Sequence, residues 1–141
     1  DVFDGMVKKI REDRFDFLST FGKQFFGVGL ISRPVSQATL DWMQSICQLA
    51  SPRATEACVR AFSETDFRRD LAAIQVPTLV IHGDNDQTVP IKNSGARMGE
   101  YLKQATYIVY DGAPHGLFVT EKDKLNQDLT AFITSSANGN Q

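Results

Sequence analysis

The sequence has few of the features that would place it in several large classes of protein. Its longest apolar run, residues 25–31, is far shorter than the roughly 20 residues of a membrane-spanning helix. The first residues show neither a basic region nor a signal core. Its 15 basic and 17 acidic side chains are interspersed, with a net charge of −2, so no basic surface suggests nucleic acid. We therefore expect a cytoplasmic globular protein without a membrane or nucleic-acid partner.

Cysteine and histidine are also scarce, with two of each. Cys47 and Cys58 lie in helical patterns, and no residues stand at zinc spacing. We expect two free thiols, although a disulfide between neighbouring helices stays open. The Asp-rich stretch 84–86 resembles the start of a calcium loop but lacks its later glycine and closing glutamate. We therefore predict no metal site and no cofactor.

Residues 1–74 have the apolar spacing of helices, with hydrophobic side chains recurring every three or four positions. Gly22 is predicted to end the first helix. Ser36 is a plausible N-cap of the second helix, and Ser51, followed by proline, has the same role for the third. A short fourth helix is predicted over residues 66–74. We interpret the whole segment as a helical cap or lid.

The pattern changes after Pro77 to one typical of an α/β core in residues 75–134. We predict strand, helix, strand and helix over residues 78–81, 92–104, 106–110 and 121–134. Strands joined through a helix run parallel, and two parallel strands alone leave an open edge. The fold class is therefore α/β, the C-terminal part of a doubly wound sheet, followed by a disordered polar tail over 135–141.

Two loops follow the carboxyl ends of these strands, where open α/β sheets place their ligands. The first is Asp-rich and includes Asp84 and Asp86, and the second is "GAPHG", which holds His115. If the strands are neighbours, a carboxylate from the first loop can reach this imidazole, in the acid-before-histidine order of hydrolase triads. Ordinary turn chemistry is the alternative. We interpret His82, at the strand end, as a structural hydrogen-bonding residue.

The stretches "VPTLVIHGDNDQTVPI" and "VYDGAPHGLFVTEKDKLNQDLTAFI" resemble the C-terminal part of α/β hydrolases, in particular the cofactor-free haloperoxidase and arylesterase group. The upstream "AFSETDFRRDLAAI" and "DGMVKKIREDRFDFLSTFGKQFFG" resemble the cap helices of that group. The resemblance implies that Asp86 is the triad acid and His115 the base. It leaves Asp84 as the alternative acid on geometry alone.

The sequence departs from this family in lacking the G-x-S-x-G motif that carries the nucleophilic serine. It also has no initiator methionine. We therefore expect a second polypeptide, the N-terminal half of the same hydrolase, to supply the nucleophile. This chain alone should be inactive, and self-association into a homo-oligomer stays open.

The resemblance implies a serine hydrolase acting on a small ester or carboxylic acid, as an esterase or as a cofactor-free perhydrolase. Phe25 and Phe26 are candidates for the acyl pocket, although aromatic residues in a helical stripe are more often core. Val89 and Leu117 are better candidates because they lie close to Asp86 and His115 in sequence. The alternatives are a catalytically silent binding subunit and a dehalogenase with an aspartate nucleophile.

Overall fold

The computed structural model describes residues 1–138, which divide into two units. The first unit contains residues 1–24 and 28–67, and the second contains residues 25–27 and the chain from Arg68 onward. The division falls before the boundary at residue 74 expected from the sequence. It also assigns Phe25–Gly27, at the end of the first helix, to the second unit.

The first unit is helical, with α1 (Val2–Phe25), α2 (Gln37–Gln48) and α3 (Pro52–Glu64). Its buried apolar side chains are Val7, Ile10, Leu18 and Leu40. Both predicted N-caps are confirmed. The Ser36 hydroxyl accepts a hydrogen bond from the Thr39 amide at 3.2 Å, and that of Ser51 accepts one from the Ala54 amide at 3.1 Å.

Helix α1 differs from the prediction at two places. It continues through Gly22 to Phe25, because Gly22 is a buried helical position facing the Met43 sulfur and not a terminator. It is also kinked at Asp13, whose φ of −154° and ψ of 94° are not helical. The Asp13 carboxylate accepts hydrogen bonds from the amides of Phe15 and Asp16, both at 3.0 Å. Asp13 thus caps the second half of α1.

The second unit contains a two-stranded parallel sheet, as predicted. Strand β1 (Thr78–Gly83) pairs in register with β2 (Ala105–Tyr110), so that Thr78 lies opposite Ala105 and Gly83 opposite Tyr110. The helices of this unit are α4 (Arg68–Ala73), α5 (Leu117–Thr120) and α6 (Lys122–Asn138). The two carboxyl ends of the strands therefore lie side by side.

Two predictions for this unit differ from the structure. The helix expected over 92–104 is replaced by two short 3-10 helices, Ile91–Asn93 and Gly95–Glu100, separated by Ser94 with φ −140° and ψ −96°. Helix α6 extends to Asn138, so residues 135–138, expected in the polar tail, are helical. The rest of the predicted tail, 139–141, lies outside the described residues.

Tyr110, the last residue of β2, is buried to 1% exposure and donates a hydrogen bond from its hydroxyl to Asp128 in α6. The Lys124 ammonium lies 4.0 Å from the centroid of its ring. Burial, and then the hydrogen bond to Asp128, raises the pKa of Tyr110 to about 12. This side chain ties the end of the sheet to α6.

The raised pKa of Tyr110 predicts a loss of stability in alkali. The protonated tyrosine contributes fully below its unfolded pKa of about 10, and this contribution is lost as the pH rises towards about 12. Urea unfolding of the chain at several pH values between 9 and 12 should show this decline. The Tyr110→Phe variant should show a shallower one, and equal slopes for the two proteins would contradict the prediction.

Candidate functional site

Near the strand ends, three hydrogen bonds hold the first loop against the end of β2 and the second loop. The amide of Asp84 donates to the Tyr110 carbonyl at 3.1 Å, and that of Asn85 donates to the Ala113 carbonyl at 3.2 Å. The Asp84 carboxylate accepts from the Gly112 amide at 2.7 Å. Asp84, the alternative acid of the sequence analysis, thus holds the histidine loop in place.

Gly83, at the end of β1, allows the two loops to approach this closely. A Cβ atom on this residue would lie 2.1 Å from the Ala113 carbonyl oxygen and 2.6 Å from its carbon. These are backbone atoms of a loop already held by hydrogen bonds, so they cannot move aside cheaply. Only glycine fits at this position.

Gly83→Ala is therefore expected to lower the free energy of unfolding by about 3 kcal/mol, because the added methyl group overlaps backbone. Urea unfolding followed by circular dichroism measures the change. Gly99→Ala is the matched control, since a Cβ there meets nothing within 4 Å, and it should change the stability by less than about 0.5 kcal/mol. If Gly83→Ala were as stable as Gly99→Ala, the two loops would be able to move apart at little cost and the prediction would be wrong.

Asp86 and His115 lie in direct hydrogen-bond contact, with 2.7 Å between Asp86 Oδ2 and His115 Nδ1. The Asp86 side chain is 3% exposed, whereas that of His115 is 34% exposed. Asp86 Oδ1 accepts hydrogen bonds from the amides of Thr88 at 2.8 Å and Val89 at 2.7 Å. The carboxylate is therefore fixed by backbone, and the imidazole it orients is open on one side.

His82 is a third member of this cluster that the sequence analysis did not connect with Asp86. Its Nε2 lies 3.1 Å from Asp86 Oδ2 and 3.0 Å from the Val89 carbonyl oxygen. The expected hydrogen-bonding role is present, with the Val89 carbonyl as the acceptor, and the buried carboxylate lies beside the same nitrogen. The spacing of four residues between His82 and Asp86 across a tight loop is the signal in the sequence that could have suggested the contact.

The loop "GAPHG" is held by the segment Phe25–Gly27, which supplies both backbone and ring contacts. The Gly116 amide donates to the Phe25 carbonyl at 2.8 Å. A Cβ on Gly116 would lie 2.4 Å from the ring of Phe26, and a Cβ on Gly27, which has a φ of 68°, would lie 3.0 Å from Pro114. Close packing thus requires glycine at position 116, beside His115, and at position 27.

The four residues predicted to line a pocket have different surroundings. The Phe25 ring packs edge-on against the His115 ring, with 4.8 Å between centroids. Phe26 is 2% exposed, so its ring packs under the loop and offers almost no surface to a small molecule. Val89 and Leu117 are half-buried, and the backbone of Val89 contacts both Asp86 and His82.

Other candidate sites are weaker in the described part of the chain. Within residues 1–138, no group of three or more His, Cys, Asp or Glu side chains could hold a metal ion. No helix in this range is long and apolar enough to cross a membrane. A groove lined by residues 72–78 and 100–105 lies at the amino ends of the strands, away from Asp86 and His115.

Comparison with known proteins places this geometry in a family. Residues 30–122 match the family model described as the alpha/beta hydrolase fold. The chain belongs to this family. As an α/β-hydrolase chain, it is 39% identical over 96% of its length to the non-heme haloperoxidase of Rhodococcus erythropolis, and 35% identical over 96% to the bifunctional esterase/perhydrolase of Acinetobacter calcoaceticus.

A solved structure supports the same assignment. The bromoperoxidase of Bacillus anthracis superposes with a TM-score of 0.89 at 37% sequence identity, over 94% of this chain. The chain covers 50% and 49% of the two relatives above and 48% of this structure. It thus spans about half the length of the α/β hydrolases that it matches.

Proposed function

We propose that this chain supplies the acid and base of a serine α/β hydrolase, Asp86 and His115, and that a segment outside these 141 residues supplies the nucleophile. The observation that carries the proposal is the 2.7 Å hydrogen bond between a buried, backbone-fixed carboxylate and an imidazole that is one-third exposed. In this proposal residues 1–74 form the cap, and residues 75–134 form the last part of the core.

The proposed reaction depends on which ring nitrogen of His115 is hydrogen-bonded to Asp86. With Asp86 on Nδ1, the proton of a neutral His115 lies on Nδ1, and Nε2 is the nitrogen that can take a proton. A serine brought to Nε2 loses its proton as it attacks an ester carbonyl, and the imidazolium then protonates the leaving alcohol. Asp86 stays ionised and stabilises the imidazolium. Water resolves the acyl-enzyme, and no metal or cofactor takes part.

The substrate in this proposal is a small ester or carboxylic acid. The edge of Phe25 against His115, together with half-buried Val89 and Leu117, supplies apolar surface beside the base. The names of the relatives, which include a haloperoxidase and an esterase/perhydrolase, favour a second use of the same site. Hydrogen peroxide in place of water would release a peracid from the acyl-enzyme.

The decisive experiment is an assay of the assembled enzyme, meaning this chain combined with the segment that carries the nucleophile elbow. Hydrolysis of p-nitrophenyl acetate should occur in the assembled enzyme and not with the 141-residue chain alone. A fluorophosphonate label should attach to a serine outside this chain, as peptide mass spectrometry will show. A label on a residue of this chain would overturn the proposal. An aspartate at the elbow would indicate a dehalogenase, and an inert residue would indicate a binding subunit.

A further inference from the structure

The Asp86 carboxylate accepts three hydrogen bonds and has the Nε2 atom of His82 as a fourth polar neighbour. Its Oδ1 atom accepts from two backbone amides, and its Oδ2 atom lies within contact of two imidazole nitrogens, at 2.7 Å for His115 and 3.1 Å for His82. An ionised carboxylate has about four acceptor sites, so Oδ2 has room for a second donor besides His115. The oxygen that orients the proposed base therefore lies against both histidines of the chain.

The surroundings of His82 determine which of its nitrogens carries hydrogen. Both groups near Nε2, the Val89 carbonyl and the Asp86 carboxylate, only accept hydrogen bonds, so Nε2 must donate. On the other side of the ring, Gly95 packs so closely that a Cβ there would lie 2.5 Å from Nδ1. The ring is thus held between Gly95 and the Val89 carbonyl, which accepts the hydrogen bond from Nε2, and Asp86 Oδ2 lies 3.1 Å from the same nitrogen.

We propose that His82 is a positioning residue for Asp86, sharing the Nε2–H that it donates to the Val89 carbonyl with the Asp86 oxygen that binds His115. This inference deepens the proposed function and rests on it for its catalytic meaning. Removing the Nε2–H donor would leave Oδ2 with one partner, so the carboxylate could rotate about its backbone contacts. The hydrogen bond from His115 Nδ1 to Oδ2 would become stronger, because Oδ2 would no longer interact with a second imidazole. The rotated carboxylate would no longer hold the His115 ring in its fixed orientation.

The first test reads the two imidazoles in the wild-type chain by long-range ¹H–¹⁵N correlation spectra. With only two histidines, the Nε2-protonated ring should be His82 and the ring with hydrogen on Nδ1 should be His115. A His82 ring without hydrogen on Nε2 would overturn the proposal. This measurement requires neither substrate nor a variant, so it stands even if the proposed enzymatic function fails.

The second test uses a matched pair of variants. Gln places an amide N–H near the position of imidazole Nε2, whereas Leu has similar bulk and no donor. His82→Leu should move the His115 Nδ1–H resonance downfield, and His82→Gln should return it towards the wild-type position. An unchanged resonance in a folded His82→Leu chain would show that His82 only supports the loop, and would overturn the proposal.

The catalytic consequence is measured in the assembled enzyme. His82→Leu should lower kcat for p-nitrophenyl acetate by about 10-fold to 100-fold, as expected for a displaced catalytic group, with KM changed less. His82→Gln should recover most of kcat. Equal loss in both variants would overturn the proposal, because it would show that the shape of the ring matters and not its donor. An inactive wild-type assembly would instead count against the proposed function, and the His115 Nδ1–H resonance of the His82→Leu chain would still decide the His82–Asp86 contact.

Discussion

Replacing His115 by alanine is expected to lower kcat for p-nitrophenyl acetate in the assembled enzyme by about 10⁶-fold, the loss typical of a triad base. The variant would have no imidazole nitrogen to accept the proton of the nucleophile. The hydrogen bond to Asp86 would be lost as well. Initial rates across a range of ester concentrations give kcat and KM separately.

Imidazole in solution is the control for His115→Ala. The side chain is partly exposed, so its deletion opens a space beside Asp86 that free imidazole can enter. Added imidazole should restore part of the turnover, and the thermal unfolding of the variant should remain close to that of the wild type. A variant that kept turnover within about 100-fold of the wild type would show that the base lies elsewhere.

Asp86→Asn is expected to lower kcat by about 10⁴-fold, the loss typical of a triad whose histidine has the wrong tautomer. If the asparagine carbonyl keeps the two backbone amides, its NH₂ group must face His115 and His82. An NH₂ donor bonds only to an unprotonated Nδ1, so the His115 proton moves to Nε2, where it blocks the reaction. Steady-state kinetics and the imidazole ¹⁵N spectrum should change together.

Asp84→Asn is the matched control, because it changes a carboxylate two residues earlier in the same loop. The asparagine carbonyl can still accept from the Gly112 amide, so this variant should lose less than about 10-fold in kcat. The comparison also decides between the two acids left open by the sequence. A larger loss for Asp84→Asn than for Asp86→Asn would assign the acid to Asp84.

The parts of the structure that the sequence could predict are those set by local chemistry. Apolar β-branched residues predicted both strands, and the intervening segment predicted that they run parallel. Ser36 and Ser51 predicted their helix starts because an N-cap needs only the next three amides. The closeness of the Asp-rich loop to His115 followed from the two strand ends being neighbours.

The parts that could not be predicted depend on tertiary contacts. Residues 92–104 have a helical pattern, but Gly95 packs against the His82 ring and the backbone breaks at Ser94. Glycine is a residue type that often ends helices, yet Gly22 lies within α1, where it faces the Met43 side chain. The spacing of His82 and Asp86 could suggest that they meet, but the position of the Val89 carbonyl against His82 Nε2 depends on how the loop folds.

The Phe25 carbonyl that binds the Gly116 amide has a consequence for protein engineering. Residues 25–27 lie near the start of the chain, yet they form the wall and the anchor of the loop around His115. In a chimaera that receives its first helix from another hydrolase, a crossover before Phe25 keeps the native wall. A crossover after Gly27 introduces a foreign wall, so an imported helix would alter the surroundings of His115 even where Asp86 and His115 are both retained.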